Sequence, residues 1–152
     1  MHANDQTVAK GSPSIALFGP DGSIKEEVTY PNLVVDSGLG YLISRALDAS
    51  KTPMSHMALG EGTTAAAAGD TALETPLGSR VAFDSTNIAG PNGDQVVYTA
   101  TFGAGEATGA VTEAGVFNAA TGGEMLCRTV FPVVNKQADD TMVITWTVTL
   151  SS

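Results

Sequence analysis

Thr141 to Leu150 alternates without interruption. Met142, Ile144, Trp146, Val148 and Leu150 fall on one side, Val143 and the threonines on the other. A period of two is the signature of a β-strand with one apolar face, and a helix would scatter these residues around its axis. Gln95 to Phe102 repeats the pattern, with Val96, Tyr98, Ala100 and Phe102 opposite Val97, Thr99 and Thr101. Two such strands require a sheet with one face packed on a second layer. The threonine-rich face is half solvated or packed on a partner. Trp146, Tyr98 and Phe102 are expected as core anchors, together with Phe117.

Between these strands lies a hairpin, Val111 to Phe131. Thr121-Gly122-Gly123 supplies its turn, because glycine adopts positive φ without steric penalty. Its first strand carries Glu113 near Val116 and Phe117, and its second carries Cys127 and Arg128 between Leu126 and Val130. A carboxylate among apolar neighbours must be paired or protonated. Arg80 and Arg128 are the available partners, each able to hold it bidentately. A structural ion pair, within one subunit or across an interface, is the expectation for Glu113.

The N-terminal half is punctuated more often. Residues 1–13 are polar, end in Gly11-Ser12-Pro13, and read as a mobile arm; residues 14–152 read as a single β-rich domain. Ser14–Phe18 and Ser23–Thr29 are strands around the turn Gly19-Pro20-Asp21-Gly22. Lys25, Glu26 and Glu27 mark the second as a water-facing edge. Asp36 offers a helix cap, and Leu39, Leu42, Ile43, Ala46 and Leu47 recur at helical spacing, so one amphipathic helix is expected over about residues 36–48. Met54–Leu59 and Ser79–Phe83 read as strands. Gly60 to Gly69 reads as a small-residue loop, Asp70 as the cap of a single turn, and Asp84–Asp94 and Pro132–Asp140 as loops. The sum is a mainly β chain: an antiparallel sandwich or barrel of about seven or eight short strands with one helix.

Charge narrows the function. The 152 residues carry a net charge of -9, and the seven basic residues, Lys10, Lys25, Arg45, Lys51, Arg80, Arg128 and Lys136, form no run. Nucleic acid and anionic membranes both require clustered cations, so neither is an expected partner. A single cysteine, Cys127, excludes an internal disulfide and fits assembly in a reducing cytoplasm. No apolar run reaches transmembrane length and no signal peptide is visible.

The chemistry is equally sparse. The two histidines are His2, in the arm, and His56, in a strand; a Cys127–His56 dyad competes with a buried thiol and a hydrogen-bonded core histidine. Zinc lacks ligands at short spacing. Asp21, Asp84, Asp94, Asp139 and Asp140 sit in loops but match no calcium-loop pattern. Gly60-Glu61-Gly62 and Gly103-Ala104-Gly105-Glu106 have no following lysine for phosphate. Glu106, Glu113 and Glu124 could supply a hydrolytic carboxylate pair, but a 6% aromatic content offers little for stacking sugars. No catalytic residue, metal or cofactor is expected.

An ordered series of short motifs resembles small virion structural proteins of tailed bacteriophages, the head-decoration and tail-fibre-like group. It comprises N-L-V-V-D-S-G-L-G-Y-L-I (residues 32–43), H-M-A-L-G-E-G-T-T (56–64), G-D-T-A-L (69–73), A-T-F (100–102), E-A-T-G-A-V-T-E-A-G-V-F-N (106–118) and R-T-V-F (128–131). The resemblance covers about residues 30–150. It implies a structural role in the particle and supplies no catalytic residues. The expected function is a capsid decoration, or cement, protein made in the host cytoplasm. It would act as a homo-oligomer, for example a trimer, on the major capsid protein or other virion proteins. The alternatives are a tail-fibre, collar or baseplate component and, from another class, a small carboxylate-dependent hydrolase.

Overall fold

The computed structural model describes residues 7–47 and 50–151. Its elements are β1 (Val8–Phe18), β2 (Ile24–Thr29), β3 (Leu33–Val34), α1 (Asp36–Leu47), β4 (His56–Gly60), β5 (Val81–Ala82), β6 (Ser85–Ala89), β7 (Gln95–Phe102), β8 (Gly109–Phe117), β9 (Met125–Lys136) and β10 (Thr141–Ser151). The chain is mainly β, with 50% of residues in strands and 8% helical. Two antiparallel five-stranded sheets face each other in a sandwich-like arrangement. Sheet I has the order β2-β1-β10-β7-β6 and sheet II the order β3-β9-β8-β4-β5.

The alternating strands form sheet I as their pattern requires. β10 lies between β1 and β7, with Ile144 opposite both Ile15 and Ala100. Ile15, Leu17, Phe102, Met142, Ile144 and Trp146 point inward and are almost fully buried. They meet Met57, Leu59, Val111, Val116, Cys127 and Val134 of sheet II in one core. The threonine face of β7 and β10 is partly exposed. β2, with its Lys25-Glu26-Glu27 run, is an edge strand.

Three expectations are corrected. β1 begins at Val8, so residues 8–13 belong to the sheet and are not a mobile arm; residues 1–6 of that arm, and Asp48 at the expected helix end, lie outside the described residues. Proline did not stop the strand because Pro13 turns its backbone nitrogen and carbonyl away from β10, on the side where the Tyr30 N–H donates to Pro13 O at 3.1 Å. β9 likewise runs through Pro132, which lies within the irregularity between the pairs Glu113–Val130 and Val111–Val134. The polar segment after Asp84 holds an edge strand, β6, paired to β7.

The helix lies where its spacing predicts, α1 covering Asp36–Leu47. Leu39, Ile43 and Leu47 are exposed by 47%, 66% and 88%, whereas Gly38 and Tyr41 are buried. A Cβ at Gly38 would collide with the backbone of Leu126, so glycine there lets α1 lie directly on β9. Ser37 Oγ donates to Met125 O at 3.0 Å and fixes that approach. The Leu39–Ile43–Leu47 edge of the stripe is consequently turned outward, while Leu42 packs against the core.

Candidate functional site: a buried carboxylate and guanidinium under a loop

Glu113 stands in the middle of β8 and is fully buried. Strand alternation and the β8–β9 irregularity place Ala114 and Val116 in the sandwich core, with Glu113, Gly115 and Phe117 on the opposite face of sheet II. Arg128 of β9, opposite Gly115, shares that face. Its Nε and Nη2 donate to Glu113 Oε2 at 3.1 and 2.8 Å. Thr75 N–H donates to Glu113 Oε1 at 2.8 Å, and Glu74 N–H to Oε2 at 3.1 Å. The carboxylate is therefore satisfied by charge and by backbone together.

Arg128 reaches further into the segment between β4 and β5. Nη1 donates to Asp70 Oδ2 at 2.9 Å and Nη2 to Thr64 O at 3.1 Å. Burial lowers the affinity of this guanidinium for its proton, but the bonds to Glu113 and Asp70 outweigh it and the net shift is upward. Asp70 is held below the usual carboxylate range, chiefly by the Ala67 N–H; burial opposes this, and the hydrogen bond and charge of Arg128 add to the lowering. Glu74 is likewise lowered, by Thr64 and Thr63.

Small residues make the contact possible. A Cβ on Gly62 would sit 2.7 Å from Glu113 Cδ and 2.6 Å from Glu74 Cβ, and one on Gly60 would strike Glu113 and Thr75 O. The loop thus lies flat on the carboxylate. Beneath it Leu73 packs with Val35, Ala58, Phe117 and Met125 in a second, smaller core.

Of the expected partners, Arg128 meets Glu113 and Arg80 does not. Arg80 Nη1 donates to Ala119 O and Gly122 O at 2.8 and 2.7 Å, and its guanidinium lies 3.6 Å over the Phe117 ring, joining the hairpin turn to β5. The four anchors Trp146, Phe102, Phe117 and Tyr98 are all buried. Trp146 Nε1 is buried without a hydrogen-bond partner among the described residues. The Asp70 carboxylate was read only as a local cap, and the Gly69-Asp70 step after four alanines was its one signal. Two further buried charges were missed. Lys136 Nζ donates to Gly103 O at 2.8 Å, and Asp140 accepts from Lys25 at 2.9 Å. Lys136 follows Val134 at an inward position of β9, which is the signal that could have exposed it.

The chemical alternatives separate in space. Cys127 lies in the sandwich core, where burial drives its thiol far above the ordinary value. His56 alternates with the inward Met57 and so occupies the other face, with Nδ1 2.7 Å from Ser55 Oγ. Glu106 accepts from Gly103 N–H and Glu124 from Lys51, at opposite ends of β8. A nine-residue strand spans about 30 Å, far beyond the about 5–9.5 Å between paired hydrolytic carboxylates. Among the described residues, no three His, Cys, Asp or Glu are grouped to hold a metal.

The surface holds a different feature. Leu39, Ile43, Leu47, Ile88 and Leu150 are each more than 40% exposed. Leu42 and Leu150 line two adjoining shallow grooves, one shared with Leu39 and Ile43, the other with Ile88 and Val148. The apolar side of α1 is therefore continuous with β10 and the tip of β6. No family model, curated protein or solved structure matches the chain.

Proposed function

We propose that this chain is a structural protein of a phage particle, a capsid decoration protein that strengthens the shell through contacts between subunits. One observation carries assembly over catalysis. The buried Glu113–Arg128 pair directs its hydrogen bonds at its own loop, while a contiguous apolar face is left outside. A catalytic carboxylate needs a reachable reacting atom, and Glu113 is roofed by Gly60, Gly62 and the Glu74–Thr75 backbone. The resemblance supports the particle context. Apart from Ala100–Phe102, its motifs fall on sheet II, α1 and the clamped segment, and they contain Glu113, Arg128, Asp70 and Thr64. In this reading, many modest contacts are multiplied by copy number on a regular shell. The partners are the major capsid protein or other virion proteins, and the acidic surface complements basic patches there. Imaging of particles bearing a label on this protein tests the proposal. Signal spread over the head is expected, and signal confined to the tail would replace it with a fibre, collar or baseplate role.

A further inference from the structure

We infer that a second copy of this chain covers the apolar face of α1. The inference rests on the assembly reading and names the partner at that surface. Leu39, Ile43, Leu47, Ile88 and Leu150 together present roughly 550 Å², within the upper range for the largest patch on a monomer. A standard interface covers about 800 Å² per partner, and the patch supplies most of that once the half-buried Leu42 and Ala9 between its members are included.

The shape is self-complementary. Leu39, Ile43 and Leu47 are spaced four apart and form one ridge along α1. Beside it run Gly40 and Ser44; a Cβ on Gly40 would meet nothing within 4 Å, so the adjacent row is a shallow groove. Two antiparallel copies of α1 crossing at Ile43 set Leu39 of one against Leu47 of the other. Each ridge then enters the neighbour's groove. A twofold contact of this kind uses the same patch on both chains and closes on itself.

Charge distinguishes this occupant from others. The ridge residues are uncharged, but each copy carries -9 overall. Association of two such copies is opposed at long range and strengthens as salt screens the repulsion. A basic partner would show the reverse dependence.

Sedimentation velocity on the full chain, over a concentration series at low and high salt, tests the inference. A monomer–dimer equilibrium that tightens with salt is expected. Ile43→Glu and Leu47→Glu should each weaken it at least about tenfold, as for central interface anchors, with thermal midpoints near that of the parent because both side chains are exposed in the monomer. Thr147→Glu, on the outer face of sheet I, should leave it unchanged. A parent that stays monomeric, association that weakens with salt, or α1 variants that associate as tightly as the parent would each overturn the inference. The virion proposal fails separately. A dimer that never enters particles sinks that proposal alone, and a monomer that decorates the head sinks only this inference.

Discussion

Sheet I turns one face to the core and the other to water, whereas sheet II is covered on both. In sheet I the outward threonines of β7 and β10 are partly exposed, and the strands alternate strictly. In sheet II, β8 is buried almost throughout, because the sandwich covers one face and the segment between β4 and β5 covers the other. The second cover has only a small apolar core of its own. It is held by an ion pair and by backbone hydrogen bonds to a carboxylate. Packing holds one sheet and a buried charge network fixes the roof of the other.

The largest test of that contrast is Arg128→Met. It leaves Glu113 buried without its cation and releases Asp70 and Thr64. Removing one partner of a buried pair costs about 3–5 kcal/mol, so the urea midpoint should fall sharply. Arg128→Met combined with Glu113→Leu should recover much of the loss, since no uncompensated charge then remains. A double variant as unstable as Arg128→Met alone would show that the loop depends on the pair itself and not on charge balance.

Glu113→Gln is the next in size. The amide keeps one acceptor oxygen, loses the charge facing Arg128 and turns its NH2 toward an N–H donor, since every partner of Glu113 donates; the cost is about 1–3 kcal/mol. Folding measured by near-ultraviolet circular dichroism should persist. Any ester or glycoside hydrolysis present in the parent and abolished in this folded variant would overturn the assembly reading. On the same face, Gly115→Ala should cost about 1–3 kcal/mol through overpacking, because its Cβ would lie 3.0 Å from both Leu73 Cδ2 and Phe117 Cε2.

This difference between the sheets also explains what was legible in the sequence. A half-buried strand announces itself by alternation, so β7 and β10 could be placed to within a residue. The Gly122–Gly123 turn was equally plain, with φ of 62° and 66°. Glu113 could be marked as needing a partner, because an acid among apolar residues has few alternatives. Choosing Arg128 over Arg80 required knowing which face of which strand each occupies, and the β8–β9 irregularity decides that. Asp70 was out of reach because its role depends on a loop folding back across 58 positions. The helix was legible as an element, but its setting on the sheet was not, for a local reason. Periodicity identifies an apolar stripe but not whether it faces inward, and Gly38 against Leu126 outweighed the stripe.

Acid should expose the network gradually. Asp70 and Asp140 are both held below the ordinary carboxylate range, Asp70 chiefly by the Ala67 N–H and then Arg128, Asp140 chiefly by Lys25. A depressed folded-state value contributes stability above the unfolded value of about 4, and that contribution is lost as pH falls further toward the folded value. The thermal midpoint should therefore hold from neutrality to about pH 5 and decline below about pH 4. Asp70→Asn should flatten part of that decline through sheet II, and Asp140→Asn part of it through the Lys25 contact at the edge of sheet I. An unchanged acid limb in both variants would mean that the clamp does not carry the acid sensitivity.

The smallest effect is expected on the outer face of sheet I. Thr147 pairs across to Ser12 and Val97, and its side chain lies on the half-exposed side of β10. Thr147→Val keeps the β-branched shape that suits a strand and removes one hydroxyl. The change in stability should stay within about 0.5 kcal/mol, as at surface positions away from special features. A similarly small change of shape at Gly115, on the outer face of sheet II, is expected to be several times more costly. If Thr147→Val instead destabilises as much as Gly115→Ala, the outer face of sheet I is also a packed surface. The two sheets would then differ only in which molecule supplies the cover.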